Sequence, residues 1–223
     1  MRFDVISIFP DVFQPVFQQG VVGRGIQQGL LSLHAHDLRD YTADRHRQVD
    51  DAPFGGGAGM VLMAEPIFAA VEAIRSLNAG PVLLMEPWGE PLTQPLAGEL
   101  SREPGLIVVC GRYEGVDDRV RQAVADREIS IGGYVLSGGE LPAMVLIDAV
   151  ARLVSGVLGD VTSLGQDAFT EGACGGFPQF TRPAQWRGLK VPEVLLSGNH
   201  AAIERWRREH ARTRLQAGLE RLS

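Results

Sequence analysis

The stretch SIGGYVLSGGELPAM (residues 130–144) connects an apolar run to a long apolar segment through four glycines. The run EISI (residues 128–131) at its start has the composition of a buried strand, and residues 142–154 at its end have the length of a helix. In open α/β sheets, ligands bind in loops beyond the carboxyl ends of the strands. We therefore expect these glycines to expose backbone at a binding site on an α/β sheet.

Three further short apolar runs predict buried strands of a parallel sheet: VISIF (residues 5–9), PVLLM (residues 81–85) and LIVVC (residues 106–110). Helical patterns lie between them, in AEPIFAAVEAIRSL (residues 64–77) and VDDRVRQAVA (residues 116–125). Because strands and helices alternate, the sequence predicts an α/β domain.

The net charge of −6 is unevenly distributed along the 223 residues. Residues 1–181 carry a net charge of −11 and residues 182–223 carry +5, and 20 of the 21 basic residues are arginine. Residues 158–181 lack apolar periodicity and are rich in Gly, Ser, Thr and Asp, which is typical of a linker. We expect a basic helical unit after it, whose Arg-rich segment (residues 205–214) fits either a solvated helix face or an RNA-binding surface.

Several common classes of protein and site are disfavoured. No apolar run approaches the roughly 18 residues of a membrane span and the N-terminus lacks signal-peptide features, so we expect a cytoplasmic protein. Cys110 and Cys174 fit reduced thiols rather than a disulfide framework. Residues 54–60 lack the Lys-Ser/Thr of a phosphate-binding loop, and residues 23–29 do not fit the dinucleotide fingerprint. The histidines have no zinc-ligand spacing, and no serine-nucleophile motif is present.

Three glycine-rich loops follow predicted strands and lack a phosphate-binding lysine: MEPWGEP (residues 85–91), CGRYEGVDDR (residues 110–119) and residues 130–142. Exposed backbone beside aromatic and apolar side chains suits a flat, adenine-like ring that main-chain N–H and C=O groups hold. One such loop predicts only a turn, so the binding hypothesis depends on the three together.

The segment PAMVLIDAVARLV (residues 142–154) is apolar on nearly all sides of the predicted helix. Such a helix needs cover on all sides, and in so short a chain a homodimer interface is expected to supply part of it. Only Asp148 and Arg152 interrupt the apolar surface, and their i, i+4 spacing also fits a helical ion pair.

Four long motifs resemble, in the same order, those of the bacterial tRNA (guanine-37-N1)-methyltransferase family TrmD, which belongs to the trefoil-knotted SPOUT class. They are DRHRQVDDAPFGGGAGM (residues 44–60), CGRYEGVDDRV (residues 110–120), SIGGYVLSGGELPAM (residues 130–144) and VPEVLLSGNHAAIERWR (residues 191–207). The resemblance begins at VISIFPDVF near the start and covers nearly the whole chain. It implies an α/β fold with a SPOUT deep trefoil-knotted parallel-sheet domain and a small C-terminal helical domain, although general topological rules disfavour a threaded chain.

The resemblance also implies a division of the chain and a donor site. Residues 1–159 would be a knotted catalytic domain that binds S-adenosylmethionine, residues 160–175 an interdomain linker, and residues 176–223 a basic helical tRNA-binding domain. The donor-binding residues would be Leu84, Met85, Glu86, Gly111, Tyr113, Glu114, Ile131, Gly132, Tyr134, Leu136, Gly138, Gly139 and Pro142. The chain departs from the family at MEPWG, where relatives commonly have Ser-Pro and a Gln before the Gly, so Glu86 and Trp88 are unusual there.

Methylation of guanine at N1 sets two chemical requirements. A general base must remove the N1 proton, and a cation or donor must stabilise the negative charge that develops at O6. The resemblance implies Asp167 in the linker as the base and Arg152 as the O6-stabilising group. It further implies the tRNA anticodon arm as partner, a homodimer with an active site shared between subunits, and Mg²⁺ dependence. Glu114, Asp117 and Asp118 are candidate ligands of the ion, although no ligand spacing in the sequence shows such a site.

Two other functions also fit the sequence. A different SPOUT-class RNA methyltransferase would modify another RNA position or a ribose, but the pair of Asp167 and Arg152 suits deprotonation of a base rather than a 2′-hydroxyl. A non-catalytic RNA-binding protein that senses an adenosine-like ligand would bind the donor without turnover.

Overall fold

The computed structural model describes residues 1–158 and 176–219, which belong to two compact units, Met1–Leu158 and Gly159–Ser223. The strands of the first unit are β1 (Arg2–Ser7), β2 (Ser32–Asp37), β3 (Asp50–Asp51), β4 (Val61–Leu62), β5 (Val82–Pro91), β6 (Gly105–Cys110) and β7 (Arg127–Ser130). Its helices are α1 (Phe13–Phe17), α2 (Gly20–Gln27), α3 (Ala64–Arg75), α4 (Gln94–Leu100), α5 (Asp118–Ala123) and α6 (Glu140–Ala151), with short 3-10 helices at Pro10–Val12 and Leu38–Tyr41.

Five of these strands form a parallel sheet in the order β2-β1-β6-β5-β7, while β3 and β4 form a separate antiparallel pair. This sheet confirms the predicted α/β fold, and the four predicted strands lie in it as β1, β5, β6 and β7. Strand β2 was not predicted, because its sequence SLHAHD has no apolar run. The reason is that β2 is an edge strand, which pairs with β1 alone and remains partly exposed.

Helices cover both faces of the sheet, so the first unit has three layers. On one face α1, α2, α4 and α6 contribute buried side chains to a core, and on the other face α3 and α5 do so. The central strand β6 is buried along its whole length and serves both cores. Leu106 and Val108 point into the first, and Ile107 and Val109 into the second, as the strand period of two requires.

The three predicted helices of the first unit are confirmed with shifted ends. Helix α5 begins later than predicted because Asp117 acts as its N-cap and accepts a hydrogen bond from the Arg119 backbone N–H at 3.0 Å. Helix α6 begins before Pro142, since proline is tolerated in a first turn. It buries one face in the core but leaves Leu141 and Val145 61% and 48% exposed.

The second unit is described from residue 176 onward. Strands β8 (Gln185–Trp186) and β9 (Leu189–Lys190) pair in antiparallel fashion, and α7 (Glu193–Leu196) and α8 (His200–Leu219) follow. These helices confirm the small C-terminal helical domain, whereas the β8-β9 pair was not predicted.

The predicted linker lies outside the described residues, so the division into residues 1–159, 160–175 and 176–223 stays a prediction, as does the knot. Of the helices in the described part of the chain, none is long and apolar enough to cross a membrane.

A buried carboxylate, Asp4, connects β1 to its surroundings at the end of the sheet away from the glycine loops. It accepts hydrogen bonds from Arg2 Nε at 2.7 Å and Asn78 Nδ2 at 2.8 Å, and lies 2.8 Å from His36 Nε2 of β2. Burial by itself would raise the pKa of Asp4. The hydrogen bonds from Arg2, His36 and Asn78 outweigh burial and hold that pKa well below its usual range.

Replacing Asp4 by asparagine is expected to lower the free energy of unfolding by about 2 to 4 kcal/mol at pH 7, because Arg2 loses its anionic partner. The pKa of Asp4 is lower in the folded state than in the unfolded state. The Asp4 charge therefore makes its full contribution to the free energy of unfolding at every pH above the pKa of an unfolded aspartate, near 3.9. This contribution declines as the pH falls from there toward the folded-state pKa.

Urea unfolding of the wild type and of Asp4→Asn measures the difference between their free energies of unfolding. This difference should be constant between pH 7 and about pH 5 and should become smaller below about pH 4. The control Asp40→Asn changes an exposed carboxylate that pairs with Arg47, and we expect an effect within about 0.5 kcal/mol. If the difference in free energy of unfolding between wild type and Asp4→Asn did not change with pH, this role of the Asp4 charge would be contradicted.

Candidate functional site

A cavity of about 230 Å³ opens where β5, β6 and β7 end, between the three glycine-rich segments that the sequence analysis singled out. The first wall is a bulge in β5. Both Met85 and Glu90 lie opposite Ile129 of β7, so residues 86–89 leave the regular sheet pairing, and residues 86–88 line the cavity. The other walls are the segments that follow β6 and β7.

Nearly all the predicted donor-binding residues come together in this cavity. Those that line it are Met85, Glu86, Gly111, Tyr113, Glu114, Ile131, Gly132, Tyr134, Leu136, Gly138, Gly139 and Pro142. Leu84 is buried in β5 and borders an adjacent groove instead. Arg112, Val135 and Ser137 also line the cavity, although none of them was predicted as a site residue.

Close backbone contacts hold the segments after β6 and β7 together. The Gly139 N–H donates to the Gly111 carbonyl at 2.8 Å. A Cβ on Gly139 would lie 2.7 Å from the Cα of Cys110. Gly132 has a φ of +149°, and a Cβ there would lie 2.5 Å from the Tyr134 ring. Glycine is therefore required at these two positions for the backbone itself to form the cavity wall.

The buried carboxylate of Glu140, the first residue of α6, links these segments to β1. Its Oε1 accepts from the Ser7 hydroxyl at 2.6 Å and its Oε2 from Arg112 Nε at 2.8 Å. The Ser7 hydroxyl in turn accepts from the Phe9 N–H at 2.8 Å, and the Arg112 guanidinium lies 4.7 Å from the Phe9 ring centroid. Glu140 is 3% exposed, so little water screens the attraction between its charge and that of Arg112.

Cys110 lies at the end of β6 beside this network and is a free cysteine. Burial, and after it the charge of Glu140, raise the pKa of the Cys110 thiol despite the opposite effect of Arg112. A thiol of this kind stays protonated and unreactive. The other cysteine, Cys174, lies outside the described residues.

Arg152, one of the two predicted catalytic residues, does not line the cavity. Arg152 is the C-cap of α6 and is half-buried. At 1.5 Å per residue it lies roughly 18 Å along the helix axis from Glu140. Asp167 lies outside the described residues, so the pairing of these two groups stays a prediction.

Two of the three candidate carboxylates for a magnesium site, Asp117 and Asp118, form ion pairs with arginines. Asp117 accepts from Arg119 Nη2 at 2.5 Å and Asp118 from Arg121 Nε at 2.6 Å, and these hydrogen bonds lower the pKa of both carboxyls. In residues 1–158 and 176–219, no group of three or more His, Cys, Asp or Glu side chains is placed to hold a metal ion. A magnesium site to which Glu114, Asp117 or Asp118 contributes stays a prediction.

The Glu140 network yields a stability prediction. Glu140→Gln leaves the Arg112 guanidinium without its anion and should lower the free energy of unfolding by about 1 to 3 kcal/mol in urea titrations at pH 7. The matched control Glu90→Gln removes an exposed partner of Arg127 and should cost no more than about 0.5 kcal/mol. Equal effects of the two substitutions would show that the buried pair does not hold the loops.

The sequence is similar to a known family over almost its whole length. A sequence model of the family described as tRNA (Guanine-1)-methyltransferase TrmD matches residues 1–222. A tRNA (guanine-N(1)-)-methyltransferase from Moorella thermoacetica is 53% identical over 214 residues, which are 95% of this chain and 85% of that protein. One from Chloroflexus aggregans is 52% identical over 210 residues, which are 93% of this chain and 82% of that protein.

The fold is shared with a solved structure as well. The crystal structure of tRNA (m1G37) methyltransferase from Aquifex aeolicus matches with a TM-score of 0.80 and 41% sequence identity, and the match covers 99% of this chain and 92% of that one. Family motifs, sequence identity and fold agree over nearly the whole length. The chain therefore belongs to the TrmD family of tRNA (guanine-1)-methyltransferases.

Proposed function

We propose that this chain methylates N1 of guanosine 37 in tRNA, the nucleotide immediately 3′ of the anticodon, with S-adenosylmethionine as the methyl donor. Its family makes it a tRNA (guanine-N1)-methyltransferase. The observation that carries the finer proposal is the convergence of the motifs at residues 110–115 and 137–142 on one glycine-lined cavity at the carboxyl edge of the sheet.

The lining of the cavity suits the chemistry of S-adenosylmethionine. Ile131, Leu136 and Pro142 offer apolar surface, and the glycines beside them offer backbone N–H and C=O groups to a purine. We propose that the lining residues predicted above hold the donor and that Leu84 acts from behind Met85 through packing. When bound, the donor supplies a methyl group on a positively charged sulfur.

The remaining chemistry falls to two side chains. We propose that Asp167 accepts the N1 proton of guanine and that Arg152 donates hydrogen bonds to O6, where negative charge accumulates. An isolated aspartate, with a pKa near 3.9, is a weak base for this proton. Its contribution therefore depends on positioning, which raises the effective concentration of the carboxylate at N1.

Exposed apolar side chains on two elements of the first unit support a homodimer. On α6, Leu141 and Val145 lie one turn apart and are exposed, and near α1 Val12 and Val16 are 43% and 52% exposed. Apolar groups in this number on one unit suit an interface between two copies. Arg152 does not line the cavity of its own unit, so the cavity residues of one subunit do not supply all the catalytic groups. We therefore propose that the linker of one subunit, with Asp167, completes the site of the other.

The second unit and the loop of residues 44–60 are proposed to bind the anticodon arm of the tRNA. Arg205, Arg208 and Arg212 are exposed on α8 and recur every three to four residues, so one helix face presents positive charge to phosphates. A cytoplasmic location, where tRNA is available, belongs to the same proposal. The Mg²⁺ requirement stays a prediction, and no step of this mechanism involves the ion.

The decisive assay combines purified protein, S-adenosylmethionine and an unmodified tRNA transcript with guanosine at position 37, and identifies the methylated nucleoside by mass spectrometry. We expect 1-methylguanosine, and none with a transcript that carries adenosine at position 37. A different methylated nucleoside would indicate another SPOUT-class activity. Donor binding without any product would indicate the non-catalytic sensor.

Asp167→Asn is expected to lower kcat by about 10² to 10⁴-fold, the range of general-base contributions, because the amide cannot accept the N1 proton. Donor affinity should stay within about twofold, since the donor is proposed to be held by other residues, all within residues 84–142. Single-turnover rates and isothermal titration of the donor separate the two effects. A parallel loss of rate and donor affinity would contradict the role of Asp167 as base.

Arg205→Gln/Arg212→Gln is expected to raise the KM for tRNA without changing kcat. Because two phosphate-binding cations are removed, the dependence of log KM on log salt should become shallower by about 1.4 to 1.8. The matched control is Arg24→Gln/Arg102→Gln, which removes two exposed arginines of the first unit. An unchanged salt dependence in the α8 variant would argue for a merely solvated helix face.

A further inference from the structure

Glu86 brings a negative charge into the cavity that no nearby group neutralises. It lies in the bulge of β5, is half-buried and lines the cavity. Within the described part of the chain its carboxylate takes part in no hydrogen bond or salt bridge, and the charge that acts on it is that of Glu128, which has the same sign. A half-buried carboxylate in this situation has lost hydration without gaining a partner.

The positive side chains around Glu86 are engaged with other carboxylates. Arg112 binds Glu140, and Arg121 of α5 contacts Asp118 at 2.6 Å and Glu128 of β7 at 3.9 Å. The remaining charged neighbour is Glu114, which lines the same cavity. Burial, and after it the charge of Glu128, raise the pKa of Glu86. The surroundings on every side thus favour a positively charged ligand group at this carboxylate.

We propose that Glu86 is a specificity residue that recognises positive charge on the bound ligand. This inference rests on the proposed function, since S-adenosylmethionine carries a sulfonium and an α-ammonium group. A cation near Glu86 would offset the lost hydration of the carboxylate, whereas a neutral nucleoside ligand would leave it uncompensated. The cavity would therefore select ligands by charge as well as by shape.

Three ligands that differ in their number of cationic groups test the proposal by isothermal titration at pH 8. S-adenosylmethionine carries both cations, S-adenosylhomocysteine keeps only the ammonium, and 5′-methylthioadenosine carries neither. For Glu86→Gln we expect about tenfold weaker binding of S-adenosylmethionine, equivalent to about 1.4 kcal/mol. Binding of 5′-methylthioadenosine should change less than twofold.

The intermediate ligand identifies which cation Glu86 recognises. If S-adenosylhomocysteine also binds about tenfold more weakly to the variant, the ammonium is the partner. If its affinity is unchanged, the sulfonium is the partner. Equal losses for all three ligands, or no loss for S-adenosylmethionine, would overturn the proposal.

Two further variants exclude a structural explanation. Glu128→Gln removes a carboxylate from the same neighbourhood but outside the cavity lining, and should leave all three affinities within about twofold. Glu86→Asp keeps the charge and should retain a preference for S-adenosylmethionine over 5′-methylthioadenosine.

The Tm of ligand-free Glu86→Gln should equal or exceed that of the wild type, because an uncompensated charge is removed. A lowered Tm would indicate a structural role and overturn the proposal.

Acid titration adds an independent readout. As the pH falls, Glu86 takes up a proton and the preference of the wild type for S-adenosylmethionine should decline to that of Glu86→Gln. Because the pKa of Glu86 is raised, this decline should begin at a higher pH than for an ordinary glutamate. Glu114, Asp118, Glu128 and Arg121 are present in both proteins, so the difference between the two profiles isolates Glu86. Formation of 1-methylguanosine by the wild type separates failure of this inference from failure of the proposed function.

Discussion

The buried carboxylate of Glu140 is the constraint on which the candidate site depends. It accepts hydrogen bonds from Ser7 and Arg112, which lie 133 and 28 residues away in the chain. Three segments that the sequence separates are thereby joined at one edge of the sheet. Glycine-rich loops lose more conformational entropy on folding than other segments, so a cavity built from them needs such fixed points.

The same interaction explains why an ion pair occupies a place that apolar side chains could fill. A buried pair gains little net free energy, because desolvation offsets most of the attraction. The hydrogen bonds that Glu140 accepts from Ser7 and Arg112 are directional, however, whereas apolar contacts are not. Arg112 shares a backbone bridge with Gly138, so fixing its guanidinium also fixes the backbone from which the cavity wall is made.

The sheet could be predicted from the sequence because its strands are buried on both faces. A run such as LIVVC has no polar alternation, and that pattern identifies a central parallel strand. The polar edge strand β2 has no such pattern and was missed. The cavity was predictable in outline from its glycines, but the Ser7–Glu140–Arg112 network was not, because partners so distant in the chain leave no local pattern.

The resemblance to relatives located the cavity more finely than residue patterns did, and it is least informative where the chain departs from them. Gly111, Gly132 and Gly139 contribute backbone, whose role survives substitution of neighbouring side chains. Glu86 contributes a charge, and its effect depends on which charges lie around it. That arrangement follows only from the structure, in which β5 bulges toward the cavity and α5 directs Arg121 to Asp118 and Glu128 instead.

Donor binding and proton removal are thus assigned to different parts of the molecule. The proposed donor cavity is formed within residues 85–142 of one unit, whereas Arg152 lies at the far end of α6 and Asp167 belongs to the predicted linker. If a second subunit supplies the catalytic groups, donor affinity is a property of one chain and turnover is a property of two. Dilution should then reduce the rate per subunit as the dimer dissociates while leaving the donor dissociation constant unchanged, because mass action affects only the step that needs both chains.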